Sequence, residues 1–391
     1  MSKLDELIAE LCPDGVEFVT VEEICDITRG RVMSKNYLRE NTGVYPVYSS
    51  QTANNGVFGY INTFDYDCES VTWTTDGANA GSVFYHINEK FSITNVCGLL
   101  RVKNNELVST KFLFYVLQVY AKKYVNDGMG NPKLMSNVMA RISVPLPPLA
   151  VQQEIVRILD NFTELTAELT AELTARRKQY EYYRDLLLTF GDEVEWKTLG
   201  EIGKLIRGSG LLKSDFVEEG FPCIHYGQIH TYYGTSATET ISFVSVDKSK
   251  KLKKAKKGDV LIAGVSENVE DVCKPLAWLG GDICISGDMF AFRHNQNTKY
   301  ITYLLQTTDF SRYKEKFAHG AKVTRLRQDK LLAYKIPVPP LEEQERIVAI
   351  LDRFDALCND LTSGIPAEIE ARQKQYEYYR DKLLSFKEVT A

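Results

Sequence analysis

Side chains able to read hydrogen-bond donors and acceptors on a polymer gather in six short segments of this chain. In the first half, Tyr48-Ser-Ser-Gln-Thr-Ala-Asn-Asn-Gly56 offers Ser49, Ser50, Gln51, Asn54 and Asn55. Thr74-Thr-Asp-Gly-Ala-Asn79 offers Thr74, Thr75 and Asn79, and Gly128-Met-Gly-Asn-Pro-Lys133 ends on Lys133. In the second half, His225-Tyr-Gly-Gln-Ile-His230 offers His225, Tyr226, Gln228 and His230, and Val265-Ser-Glu-Asn268 offers Ser266 and Asn268. Gly320-Ala-Lys-Val-Thr-Arg-Leu-Arg327 carries Lys322, Thr324, Arg325 and Arg327. Amides and guanidiniums make paired hydrogen bonds to base edges, and small hydroxyls bond to several bases. Cations flank Gly30 and Gly208: Arg29, Arg31 and Lys35 near the first, Arg207 and Lys213 near the second. Lys248 to Lys257 holds seven lysines in ten residues, with Lys250, Lys251, Lys253 and Lys254 at its centre. Such cations contact phosphates, which positions a protein on nucleic acid without specifying sequence. Polar turn residues are most often only turns. What makes these candidate nucleic-acid contacts is that three such loops recur at equivalent places in both halves.

Covalent chemistry finds no comparable support. The Pro-Pro pairs sit in Leu-Pro-Pro-Leu and Val-Pro-Pro-Leu, without the Asn or Asp that an amine methyltransferase motif places before them. No phosphate loop, dinucleotide fingerprint, HExxH or GxSxG is present. His225 and His230 are five apart with no clustered Cys or acid, so no metal site is expected. The expectation is a chain that is not an enzyme. The alternatives are a self-contained methyltransferase or nuclease with divergent motifs, or a coiled-coil adaptor that binds protein.

The positioning elements follow from an internal duplication. Pro145-Leu-Pro-Pro-Leu149 recurs as Pro337-Val-Pro-Pro-Leu341, and Ile155-Val-Arg-Ile-Leu-Asp160 as Ile347-Val-Ala-Ile-Leu-Asp352. Lys178-Gln-Tyr-Glu-Tyr-Tyr-Arg-Asp185 recurs unchanged at Lys374 to Asp381. Val16-Glu-Phe-Val-Thr-Val-Glu-Glu-Ile24 echoes Val194-Glu-Trp-Lys-Thr-Leu-Gly-Glu-Ile202. Between these frames, 31–127 and 209–318 share little sequence. Dissimilar contents in similar frames suit paired readers of different targets.

Residues 149–190 hold no Gly or Pro and carry apolar residues at spacings of three, four and seven, which predicts one amphipathic helix of about 60 Å. Thr166-Ala-Glu-Leu and Thr170-Ala-Glu-Leu repeat within it, a spacer whose length can change by whole units. Ser363-Gly-Ile-Pro366 divides the second block into helices near 341–361 and 366–386, expected to pair antiparallel with the first. Short apolar runs between Gly, Asn and Pro turns make the lobes β-rich, each with a late helix. The fold class is α+β: two β-rich globular lobes, 1–148 and 191–340, joined by a helix at 149–190 and a helical region at 341–391.

Composition sets the limits. The 391 residues are 44% hydrophobic and 25% charged, ordinary for a globular chain, and no run approaches the ~18 apolar residues of a membrane span. The first residues are acidic rather than signal-like, and the eight Cys form no CxxC, so a reduced cytoplasmic setting is expected. Net charge is −5; the helical blocks carry −6, the first lobe −3 and the second lobe +4. A chain this weakly basic binds DNA feebly alone, because phosphate neutralisation supplies most non-specific affinity.

On the duplicated Pro-Leu-Pro-Pro-Leu…Gln-Glu-Ile-Val-Arg-Ile-Leu-Asp segments, the Gln-Tyr-Glu-Tyr-Tyr-Arg-Asp ends and the Thr-Ala-Glu-Leu units, the chain resembles specificity subunits of type I restriction–modification systems. The last two features resemble the IC subgroup. The resemblance covers essentially the whole chain. It implies two target-recognition domains, each reading half of a split site on double-stranded DNA, and helices that set their spacing and dock two methyltransferase subunits. Gln179, Tyr180, Tyr183 and Arg184, with Gln375, Tyr376, Tyr379 and Arg380, are the implied partner-binding residues. S-adenosylmethionine, and ATP with Mg, are expected on partner subunits (methyltransferase and restriction/translocase) and not on this chain.

Overall fold

The computed structural model describes residues 2–128, 130–320, 323–360 and 363–389. The chain divides into two compact units, residues 1–167 with 371–391, and residues 168–370.

In the first unit, strand Glu17–Thr20 pairs antiparallel with Ser143–Leu146, setting Phe18 opposite Pro145. Thr20 then opens a helical turn, Val21–Ile24, through a capping box with Glu23. Strand Cys25–Arg29 enters a four-stranded sheet in the order Cys25–Arg29, Cys97–Val102, Ser70–Thr74, Val83–His86. A second sheet has the order Val57–Ile61, Tyr45–Tyr48, Lys90–Ile93, Tyr66–Asp67, and its two middle strands are parallel. Helix Thr110–Tyr120 closes the core around Trp73, whose indole N–H donates to the Leu134 carbonyl at 3.0 Å.

The second unit repeats this plan. Trp196–Thr198 pairs with Lys335–Pro337, setting Trp196 opposite Pro337 in the register of Phe18 and Pro145. Thr198 and Glu201 repeat the capping box. One sheet runs Gly203–Arg207, Met289–His294, Val260–Ala263, Pro275–Trp278, Ser236–Ala237. The other runs Phe216–Val217, Ser242–Val244, Phe221–Ile224, Ile283–Ile285, Lys254–Ala255, and again its central pair, Phe221–Ile224 with Ile283–Ile285, is parallel. Each five-stranded sheet is thus the four-stranded one with a strand added at an edge. The duplication therefore extends through the lobe interiors, where the sequences share little.

The helices follow the expected breaks. Leu149–Leu187 is one helix of 39 residues, about 58 Å at 1.5 Å per residue. Leu341–Asn359 and Ile365–Leu383 are the two helices of the second block. Val151, Ile155 and Leu159 are buried in the core of the first unit, and Ile347, Val348 and Leu351 in that of the second. In the second unit, Arg177 donates to the Cys358 carbonyl at 3.5 Å, while Tyr180 and Tyr183 lie against Phe354, so that stretch of the long helix runs antiparallel to Leu341–Asn359. No helix among the described residues is long and apolar enough to cross a membrane.

Candidate nucleic-acid interface

The sites grow from one backbone device used twice. Gly30 follows strand Cys25–Arg29 and Gly208 follows Gly203–Arg207. A Cβ at Gly30 would overlap the Ile93 carbonyl, and one at Gly208 the carbonyls of Ile285 and Ser286. The close approach lets the preceding arginine reach a turn on the neighbouring strand. Arg29 donates to the Asn95 carbonyl at 2.6 Å and the Thr75 hydroxyl at 3.2 Å. Arg207 donates to the Gly287 carbonyl at 3.0 Å.

In the first unit the three predicted loops meet at this point. Ser49 bonds the Thr94 hydroxyl at 2.9 Å, and its N–H donates to the Gly56 carbonyl at 3.1 Å, closing the first loop. Gln51 turns inward and donates to the Val57 carbonyl, and Ser50 is half-buried. Asn54 and Asn55 occupy the left-handed region at φ 51° and are exposed at the tip, a conformation short polar side chains tolerate. The second and third loops are zipped together. The Gly77 N–H donates to the Pro132 carbonyl, the Leu134 N–H to the Thr75 carbonyl, and Lys133 approaches Asp76 at 3.9 Å. Thr74 and Thr75 are fully buried, and the Thr74 hydroxyl donates to the Asn79 carbonyl while accepting the Ser82 N–H. These two hydroxyls hold the loop; they are not presented on its surface. Asn79 is half-buried and Lys133 exposed. Arg31 bridges Thr94 through its backbone, while its side chain binds Asp65 at 3.0 Å and the Tyr37 hydroxyl, and Lys35 is exposed at the start of helix Lys35–Glu40.

In the second unit a groove of about 570 Å³ is lined by Arg207, Ser209, His225, Tyr226 and Asp288 among others. The Tyr226 N–H donates to the Ser286 hydroxyl at 3.0 Å. His225 Nδ1 accepts the Gly227 N–H at 3.2 Å, so the neutral ring carries its proton on Nε2. Burial, then the nearby Lys213 charge, hold the His225 pKa below its usual value. Ser266 pairs with Thr324, and Val265 with Arg325, whose guanidinium lies 3.9 Å from Asp288. His230 Nε2 lies 3.3 Å from the Val265 carbonyl. Gln228 points inward, accepting from the His225 N–H and donating to Ser242, and Thr324 is buried. Asn268 closes a local ring with Asp271, and Arg327 pairs with Asp329. Lys322 lies outside the described residues.

The lysine run is divided. Lys248 pairs with Asp215 at 3.1 Å, Lys250 with Asp247 at 2.9 Å, and Lys254 lies over Phe221. Lys251, Lys253, Lys256 and Lys257 are exposed and form no ion pair among the described residues. The Lys253 N–H donates to the Ser209 hydroxyl, which ties this run to the groove. Sequence reasoning missed Asn95, Ser209 and Asp288. Only their nearness to the turns facing Arg29 and Arg207 marks them, and that depends on strand pairing. Exposed lysines outside the ion pairs of the described residues and arginines held by neutral carbonyls remain able to take an anionic ligand, whereas those facing carboxylates are partly neutralised.

Burial pushes the Cys25, Cys97, Cys223 and Cys273 thiols up to about 12, far from a reactive thiolate. No group of three His, Cys, Asp or Glu among the described residues is arranged to hold a metal.

The repeated Lys-Gln-Tyr-Glu-Tyr-Tyr-Arg-Asp segment acts largely inside each unit. Tyr180 and Arg184 are 6% and 8% exposed, with Arg184 over the Tyr180 ring and bonded to Asp185. Tyr376 donates to Gln118 at 2.9 Å, Arg380 lies over the Tyr376 ring, and Tyr379 stacks on Phe162. Gln179 accepts from Arg176 and Gln375 from Arg372. Tyr180, taken from the resemblance as partner-binding, lies in the core of its own unit, and Arg184, taken likewise, is largely covered there. Tyr182 and Tyr378, 64% and 62% exposed, carry the outward face of this motif.

A family model described as the type I restriction modification DNA specificity domain matches residues 13–176 and 191–371. The chain belongs to this family of type I restriction–modification specificity subunits. It is 40% identical over 288 residues to the EcoR124I/EcoR124II specificity subunit of Escherichia coli, covering 71% of this chain and 70% of that one. It is 34% identical over 370 residues to a Mycoplasma pneumoniae chain provisionally named a type I specificity subunit, covering 94% and 96%. The fold is similar to that of a type I restriction–modification S subunit from M. genitalium, with a TM-score of 0.56, 16% identity and coverage of 95% and 96%.

Proposed function

We propose that this chain is the non-catalytic DNA-reading subunit of a type I restriction–modification complex. Each lobe reads one half of an asymmetric, bipartite site on double-stranded DNA. The long helices fix the number of unread base pairs between the halves and dock two methyltransferase subunits, which hold S-adenosylmethionine. ATP-dependent restriction subunits join that assembly in the cytoplasm. The Thr-Ala-Glu-Leu units favour the IC subgroup.

One observation carries this reading. The two units share frame, register and sheet order, yet the loops at Gly30 and Gly208 differ in chemistry: Asn54, Asn55 and Lys133 in one, His225, Tyr226 and Arg325 in the other. A common scaffold with unlike hydrogen-bonding groups is what two different half-sites require. The test is to express the chain with its modification subunit and map methylation by long-read sequencing. The expected result is one split, non-palindromic motif that vanishes without this chain. Methylation without it, or by this chain alone, would overturn the proposal.

A further inference from the structure

Lys314, on helix Thr308–Phe317, is 5% exposed, an unusual place for an ammonium group. Its Nζ donates to the Glu270 carbonyl at 2.7 Å and the Val272 carbonyl at 3.0 Å, and lies 5.6 Å from the Phe310 ring centre. It forms no ion pair among the described residues. Burial pushes its pKa down, so an apolar residue would be the cheaper occupant if filling space were all that mattered.

The two carbonyls belong to the turn that leaves strand Val265–Ser266 and carries Asn268. That turn ends at Cys273, whose φ of 62° is the left-handed conformation that residues with a side chain rarely adopt. The Asn268–Asp271 ring closes the turn on itself but does not fasten it to the rest of the unit. The far end is held by Val272 and Cys273 in the core and by the Cys273 N–H, which donates to the Ala263 carbonyl at 2.9 Å; Lys314 adds the polar tie, joining two backbone oxygens of the turn to a packed helix. The corresponding turn of the first unit uses a different device: Gly77 bonds the Pro132 carbonyl, and Thr74 bonds the Asn79 carbonyl.

We propose that Lys314 is a positioning residue for DNA reading by the second lobe, holding the 266–272 turn so that Ser266 and Asn268 meet the bases in one geometry. This rests on the DNA-reading function proposed above. The experiment uses the full chain in complex with its modification subunit and measures methylation rates on a panel of sites, each with one altered base pair. Asn268→Ala first identifies the positions the turn reads. Lys314→Met, which removes both hydrogen bonds, is then expected to relax selectivity at those same positions by about tenfold or more. The half-site read by the first lobe stays as selective as before, and Lys314→Arg, which keeps charge and donors, restores most of the loss. A residue that merely stabilised the fold would not separate the two half-sites. If Lys314→Met yields no soluble complex, Lys314→Gln carries the same comparison. Unchanged selectivity in the Lys314 variants, or equal loss at both half-sites, overturns the positioning role. An Asn268→Ala variant that changes no position overturns instead the claim that this turn reads DNA.

Discussion

Asp160 and Asp352 do the same work in the two units. Asp160 accepts from Lys111 at 2.8 Å and the Tyr115 hydroxyl at 2.6 Å, and Asp352 from Lys299 at 2.8 Å and the Tyr303 hydroxyl at 2.7 Å. Gln152 and Gln344, both fully buried, stitch each helix start to its lobe. Gln152 accepts the Ser109 N–H and donates to the Leu107 and Pro147 carbonyls; Gln344 accepts the Asn297 N–H and donates to Gln296 and the Pro339 carbonyl. Replacing Gln152 with Leu strands buried groups that each cost about 1–3 kcal/mol, so a drop of that order is expected in urea unfolding of the first unit. Glu154 supplies a pH-dependent counterpart. Hydrogen bonds from Arg157 and then Lys3 hold its carboxyl down to about 2 from an ordinary 4.5. Because the folded value is the lower one, its stabilisation is complete above pH 4.5 and is lost as pH falls toward 2. Glu154→Gln should therefore be less stable than the parent at pH 7 and equal to it at pH 2, read from urea midpoints. The Asp pair was visible in the sequence as a repeated Ile-Leu-Asp. The inward turn of Thr74, Thr75, Gln228 and Thr324 was not, because a polar residue in a loop reads alike whether it faces water or caps its own backbone.

Helices and their breaks were the most legible elements. Apolar spacing is local, so 149–190 resolved as Leu149–Leu187, and the Gly-Ile-Pro break separates Leu341–Asn359 from Ile365–Leu383. The sheet order of the lobes was illegible because strand pairing is non-local and many apolar sequences satisfy it. Trp73 and Trp278 are both fully buried, yet Trp73 lies on the third strand of its sheet and Trp278 on the fourth, so the two cores are anchored from different strands. Removing Thr170 to Leu173 takes out four residues, about 6 Å of helix and about 40° past one full turn. The expected outcome is a recognition motif whose unread spacer shortens by one or two base pairs while both half-sites keep their bases, as methylome sequencing would reveal. Altered half-site bases would contradict the ruler role of this helix.

For the whole molecule, net charge governs how it meets DNA. With −5 overall, the isolated chain is expected to bind weakly, and under the proposed function most phosphate contacts come from the modification subunits. Fluorescence anisotropy across a salt series should show a shallow slope for the chain alone and a much steeper one for the complex. Equal slopes would place the phosphate contacts on this chain. The discontinuity of the first unit has another effect. Its segment 371–391 is synthesised after 168–370, which emerges as one uninterrupted stretch. At roughly 5–20 residues per second, the first lobe waits on the order of tens of seconds for its final helix. The second unit can therefore mature first, and the first unit stays open to chaperones and proteases until residues 371–391 arrive.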